Sequence, residues 1–287
     1  MTPLAGPWPA DSLLALRGRK GAARFADLAP EVLAALNAGA LETVNLVEFL
    51  AVDLQQLAPH VAGQVGLDPR AEGLQDTLAM LPGIKPMKRH EFVARALYND
   101  TMGRPDRDAV AHRLAAHASD VARCWATYWV GFSDLDLPGR LDAVRRFAAD
   151  SHFGVREMAW AAVRNTVIAE LAQALDLLQA WVAEPDDRLR RFASELTRPR
   201  GVWCAQIEPL KAEPWHALPL LEPLKADPSR YVQNSVANWL NDASKSQAEW
   251  VREVGDRWLR ESSAPATQYI VRRALRTLHK QNPPEPA

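Results

Sequence analysis

Between Arg188 and Trp203 the chain reads RLRRFASELTRPRGVW, with five arginines and one carboxylate, Glu195, in sixteen residues closed by a tryptophan. Guanidinium groups suit phosphate oxygens, and an aromatic face attracts cationic partners. A carboxylate among them weakens phosphate binding, so its presence calls for another task. One such task is to stabilise positive charge developing on a sugar as a base departs, and to position the attacking water, as in glycoside hydrolysis. The plainer alternative is intramolecular pairing, of Glu195 with Arg191 or Arg198 and of a second acid, Asp242, with Lys245.

These residues need elements to hold them. Leu189, Phe192, Ala193 and Leu196 recur at three- and four-residue intervals, which predicts a helix with one apolar face. Pro199 forces the exit, because it lacks a backbone N–H and disfavours helical geometry in the residue before it. Helical patterns also run through APEVLAALNAG, LETVNLVEFLAVDLQQLAPHVAGQ, HEFVARALYND, the longer RDAVAHRLAAHASDVARCWATYWVGF, and LPGRLDAVRRFAAD. LPGIKPMKRH is expected to be a loop by its prolines and glycine. No sustained alternating pattern of β-branched residues occurs, so the expected class is all-α.

The second half repeats a frame of an acid, four residues, an aliphatic and then usually arginine. Its copies are Asp150 to Arg156, Glu184 to Arg190 and Asp227 to Gln233, with a weaker one from Ala266 to Arg272. The spacing, near forty residues, is that of helix-pair repeats of the HEAT or armadillo kind, which stack into a solenoid with a concave binding surface. Glu157, Glu195 and Asp242 follow their aliphatic anchors by two, six and ten positions. Steps of four drift only about 40° around a helix, so three repeats can bring their acids to one patch.

The totals bound the class. The 287 residues are 48% hydrophobic and carry a net charge of −1, so any basic surface must be local. No apolar run approaches the roughly 20 residues of a spanning helix, and the N-terminus lacks the order of a signal peptide. Cys124 and Cys204 suggest neither a disulfide framework nor a metal knuckle, and no zinc spacing, glycine-rich phosphate loop or nucleophile elbow is present. The expected organisation is a loosely ordered lead-in over residues 1–20, one repeat domain over 21–280 and a disordered tail over 281–287.

Two stretches resemble a known family. RFASELTRPRGVW resembles the Ser-Glu-x-Thr-Arg-Pro-Arg…Trp motif of bacterial AlkC-type DNA alkylation-repair proteins, and DPSRYVQNSVANWLNDASK resembles their Asp-Pro-Ser-x-Tyr-Val…Asn-Asp segment. The resemblance covers residues 145–280 most clearly. It implies a HEAT-like repeat DNA glycosylase that removes cationic N-alkylated purines, such as 3-methyladenine and 7-methylguanine, from double-stranded DNA. It further implies that no metal or other cofactor is needed and that the base is not flipped into a pocket, unlike in most glycosylases.

Carried over by position, Glu195 and Asp242 match the family's acids and would face the lesion's sugar. Trp203 would lie against the deoxyribose or backbone, and Arg191, Arg198 and Arg200 would hold phosphates, with Arg190 and Arg230 on the same basic surface. The first acid departs from the pattern. The family has Glu-Phe-Ala-x-Arg, whereas REMAWAAVR sets Glu157 seven residues before Arg164 and leaves Trp160 where the acid would stand. Some members carry an immunoglobulin-like domain after the repeats; QNPPEPA offers no β-pattern, so the shorter variety is expected. The overall expectation is a monomeric base-excision repair enzyme in the bacterial cytoplasm, associated with the nucleoid. Its rivals are a non-catalytic repeat protein binding bent or branched DNA, and a protein-interaction scaffold.

Overall fold

The computed structural model describes residue 8, residues 10–201 and residues 204–281. Trp203 and the tail from 282 lie outside the described residues. Among the described residues the chain is all-α, with eighteen α-helices and no strand. The first eight are α1 (Ala10–Arg17, within the expected lead-in), α2 (Pro30–Asn37), α3 (Leu46–Ala51), α4 (Leu54–Val65), α5 (Glu72–Met80), α6 (Pro86–Asp100), α7 (Arg107–Ala115) and α8 (Asp120–Phe132). Then follow α9 (Leu137–Ala148), α10 (Phe153–Ala169), α11 (Leu171–Leu178), α12 (Asp187–Leu196), α13 (Glu208–Ala212), α14 (Leu218–Leu221), α15 (Arg230–Ala243), α16 (Ala248–Glu261), α17 (Pro265–Ala274) and α18 (Arg276–Gln281). No helix among them is long and apolar enough to cross a membrane.

Two sequence expectations change at the level of elements. PMKRH, expected in a loop, opens α6 with Pro86 in the first turn, where the missing N–H costs nothing. The long run from Arg107 to Phe132 is two helices. The chain turns at His117, whose Nδ1 accepts from the Ser119 amide at 3.0 Å, and α8 starts afresh behind Ser119. Gly66 ends α4 at φ 87°, a left-handed geometry that glycine adopts without strain.

The chain forms two compact units, one of residues 1–134 with 150–162, the other of residues 135–149 with 163–287. In the first, α6 packs on α8, α7 on α8 and α4 on α6. In the second, α12 packs on α15 and α15 on α17. Its core is built by Phe192 stacked on Trp181 at 5.0 Å, with Leu189, Leu196, Val232, Val236, Trp239, Ile270 and Val271 buried.

The repeat frame now has a physical meaning. In three of the four copies the residue after the aliphatic anchor turns back to the carbonyl six positions earlier: Arg156 to Asp150 O at 2.7 Å, Arg190 to Glu184 O at 2.8 Å and Gln233 to Asp227 O at 2.7 Å. Arg123 does the same to His117 O at 2.8 Å. A further copy, His117 to Arg123, is thus present; its histidine and alanine conceal it from a search for an acid and an aliphatic. The arginine also reaches forward, Arg123 to the Asp150 carboxylate and Arg190 to that of Asp227, each with two nitrogens. Such forked pairs fix register between successive repeats. Asp150 and Asp227 each accept from the amide two residues on, shaping the turn into the next helix.

Candidate acid–arginine site

The site belongs to the second unit and is built by α12, α15 and residues 197–201 and 204–205. α12 begins behind Asp186, whose carboxylate accepts from the Arg188 amide at 2.8 Å. α15 begins behind Ser229, which caps the Tyr231 amide. α12 stops at Leu196, two residues before Arg198 precedes Pro199, as the proline requires.

The turn that follows is held by one buried side chain. Arg164 of α10 is 1% exposed, and its guanidinium donates to Leu196 O at 2.8 Å, Arg198 O at 2.7 Å and Ala205 O at 2.7 Å. Helices leave their last carbonyls without partners, and Arg164 satisfies that end of α12. The Trp239 indole adds a bond to Thr197 O at 3.0 Å, and the Ile207 amide one to Pro199 O at 3.0 Å. Gly201 packs here against Arg164; a Cβ would come within 3.3 Å of the guanidinium and collide with Cys204 Sγ.

This scaffold brings Glu195 and Asp242 to one guanidinium. Arg198 donates from Nη1 to Glu195 Oε1 at 2.6 Å, and from Nε and Nη2 to Asp242 Oδ2 at 2.9 and 2.7 Å. Lys245 donates to Asp242 Oδ1 at 2.9 Å, and Arg191 stands 3.6 Å from Glu195 Oε2. The intramolecular pairs named from the sequence therefore form, and they are shared: Arg198 joins acids from neighbouring repeats. Both acids are buried, Glu195 at 5% and Asp242 at 4% exposure.

Burial alone would raise the Glu195 pKa. The Arg191 and Arg198 charges, with hydrogen bonds from Ser235 and Arg198, outweigh it and hold the carboxyl below its ordinary value. Desolvation likewise opposes the Arg198 charge, but Glu195 and Asp242 more than restore it. Glu195 is therefore an anion at neutral pH. Each carboxylate offers about four acceptor positions, so the bonds to Glu195 leave room for a further donor.

The other predicted residues are distributed as follows. Arg200 donates to Asp242 O at 3.2 Å, beside the cluster. Arg191 lies over the Tyr231 ring at 4.4 Å, and the exposed Arg230 lies over Tyr269 at 3.6 Å. Arg190, expected on the phosphate-binding surface, has its guanidinium engaged by Asp227, Glu184 O and Pro185 O, as the repeat frame demands. Glu157 and Trp160 lie one turn apart on α10 in the first unit, where the indole N–H donates to Glu157 Oε2 at 2.9 Å. Trp203 is outside the described residues. Among the described residues no group of three His, Cys, Asp or Glu side chains could hold a metal ion.

Sequence reasoning passed over two residues of this site. Ser235, buried on α15, donates to Glu195 Oε2 at 2.7 Å and accepts from Ser194 at 2.7 Å. Arg164 could have been found: it shares a helix face with Trp160 and Val167, where a lone cation must find carbonyls or an acid.

Residues 150–278 match the family model described as DNA alkylation repair enzyme. The alkylpurine DNA glycosylase AlkC of Pseudomonas fluorescens, solved bound to DNA containing an abasic site analog, superposes with a TM-score of 0.64 at 28% identity. The matched segment is thus similar to DNA alkylation repair enzymes, and the chain resembles AlkC in fold. That superposition covers 78% of this chain and 62% of the Pseudomonas protein. The uncharacterized protein YhaZ of Bacillus subtilis is 41% identical over 120 residues, 42% of this chain and 33% of YhaZ. AlkD2 of Streptococcus mutans, at 20% identity, TM-score 0.55 and coverage of 70% of this chain and 96% of its own, shares the fold. The architecture is a HEAT-like helical repeat.

Proposed function

We propose that the chain is a DNA glycosylase of alkylation repair. It would hydrolyse the N-glycosidic bond of cationic N-alkylated purines, 3-methyladenine and 7-methylguanine, in double-stranded DNA. The observation that carries this reading is the ionised, buried Glu195 joined to Asp242 through Arg198. An alkylated purine is already a cation, so the C1′–N bond breaks with its electron pair going to the base, which leaves neutral. No side chain has to protonate it. The positive charge passes to the sugar, where a fixed carboxylate stabilises it, and water adds to C1′ and gives up a proton. The base need not be flipped into a pocket. Arg191, Arg198, Arg200 and Arg230 would hold phosphates, Trp203 would lie against the deoxyribose or backbone, and Glu157, bonded by Trp160, would serve as the family's first acid. Arg190 stays with the scaffold. The expected setting is a monomer acting on the bacterial nucleoid.

A second reading, duplex binding without excision, is favoured by one feature: three cations, Arg191, Arg198 and Lys245, surround the two acids, which suits phosphate. Excision from alkylated duplex DNA decides between them. The enzyme should release 3-methyladenine or 7-methylguanine, and Glu195→Gln or Asp242→Asn should slow release by about a hundredfold, the scale on which a preorganised electrostatic group contributes. Salt-dependent duplex binding with no base released would establish the second reading instead.

A further inference from the structure

Along α15, Arg230, Asn234, Asn238 and Asp242 follow one another at four-residue steps, so they form a single, slowly winding polar row. The neighbouring repeat lays partners against that row. Tyr269 of α17 takes the Arg230 guanidinium on its ring and donates its hydroxyl to Asn234 Oδ1 at 2.6 Å. Arg276, at the start of α18, donates to Asn238 Oδ1 at 3.0 Å and to Arg273 O at 2.7 Å. Asn241, one turn on, grips the same junction through Ala274 O at 2.8 Å and Thr277 Oγ1 at 2.9 Å. Two asparagines of α15 thus fix the position of Arg276 near the Asp242 end of the row.

Arg276 differs from the ion-paired cations of this unit. Arg190, Arg198 and Lys245 each face a carboxylate within 3 Å. Among the described residues no carboxylate forms an ion pair with Arg276; neutral oxygens hold it. Burial and the neighbouring Arg273 both work against its charge, and the Asp242 charge offsets them only in part, so its pKa is lowered. A cation partly withdrawn from water, aimed by neutral acceptors and short of negative charge, is completed by an anion.

We propose that Arg276 is a phosphodiester-binding residue, which takes the DNA backbone beside the Glu195–Arg198–Asp242 cluster. This rests on the duplex-binding half of the proposed function and not on excision. Arg276 touches phosphate and no reacting atom, so its removal should weaken damaged and undamaged duplexes by the same factor.

The test is duplex affinity measured against salt, on undamaged DNA and on DNA with an abasic-site analogue. Arg276→Gln should weaken both by about tenfold, the scale of a hydrogen bond to a charged group, and should reduce the log–log salt slope by about 0.9. Arg276→Lys should keep the slope. Asn238→Asp supplies an independent route that leaves Arg276 in place. A carboxylate at the Asn238 oxygen, 3.0 Å from the guanidinium, would neutralise Arg276 within the protein and should reduce the slope similarly. Arg252→Gln, whose arginine pairs with Glu249, should change neither quantity. Unchanged slopes in both Arg276→Gln and Asn238→Asp would overturn the proposal, and so would a wild-type protein with no salt-dependent duplex binding. If no base is excised but the slope falls as stated, the glycosylase reading fails and this assignment stands.

Discussion

Replacing Arg164 by methionine should unfold the second unit far more easily, and the structure sets the scale. The aliphatic stem is kept, so little volume is lost. What goes is a guanidinium that is 1% exposed and bonded to Leu196 O, Arg198 O and Ala205 O at 2.7 to 2.8 Å. A carbonyl left without a partner costs about 1–3 kcal/mol, so three would give roughly 3–9 kcal/mol. Two effects reduce the sum. Burial works against the Arg164 charge and lowers its pKa, and that penalty disappears with the side chain. Arg198 and Ala205 also lie in a turn that water can reach once it loosens. About 3–4 kcal/mol is the expected loss, a large share of the 5–15 kcal/mol typical of a folded domain. Urea unfolding followed by tryptophan fluorescence reads it. Where two transitions resolve, only that of residues 135–149 and 163–287 should move, and Arg164→Lys should recover part of the shift. A midpoint corresponding to less than about 1 kcal/mol would refute the claim that this arginine holds the turn.

Ser235→Ala removes a hydrogen bond that favours the charged form of Glu195. It should cost about 1 kcal/mol of stability, and the Glu195 titration should rise toward its ordinary value; the acid limb of the excision pH profile should move to higher pH, and an unmoved limb would remove Ser235 from the site. Wild-type stability should also respond to His90 of α6, which burial and the nearby Arg89 lower to a pKa of about 4. The unfolded chain binds the proton near pH 6.5 and the folded one only near 4, so stability is fully present above pH 6.5 and declines as pH falls through that window. At about 1.4 kcal/mol per pKa unit the loss is roughly 3 kcal/mol. His90→Phe, which keeps a ring against Phe49, should flatten the decline measured by unfolding at pH 4.5 and 7; an equally steep decline would exclude His90 as its source.

Much of this arrangement was legible in the sequence, and the reasons differ by residue. The end of α12 could be placed because Pro199 acts locally, through its own ring. The meeting of Glu195 with Asp242 could be placed because a repeat transfers a helix position in one copy to its neighbour. The same counting groups Glu157 with them, although its spacing to Arg164 on α10 departs from the family's pattern. The break at His117 was illegible for a different reason. No glycine or proline lies between Arg107 and Val130, and the turn is fixed by a histidine bonded to Ser119 and to the distant Gln64. Long-range contacts of that sort leave no periodic trace.

Arg190 and Arg191 show what periodicity says about function. They are adjacent and chemically identical, yet about 100° apart around α12. Arg190 falls on the position that recurs from copy to copy, occupied by Arg123, Arg156 and Gln233, and at each the side chain turns back to a carbonyl six residues earlier. A residue that recurs from copy to copy serves what the copies share, which is to lock onto their neighbours. Arg191, by contrast, stands 3.6 Å from Glu195, at a position the frame does not specify. Glu195, Arg198, Asp242 and Arg276 are likewise outside the frame. The residues that reveal a repeat are therefore poor candidates for its active surface, and the better candidates are polar residues that break the pattern where two repeats meet. That distinction assigns Arg190 to the scaffold and Arg191 to the site: Arg190→Gln should chiefly lower stability, and Arg191→Gln should chiefly weaken duplex binding. Denaturant midpoints and salt-dependent affinities for the two variants separate these outcomes, and the reverse pattern would remove the basis for assigning function by departure from the repeat.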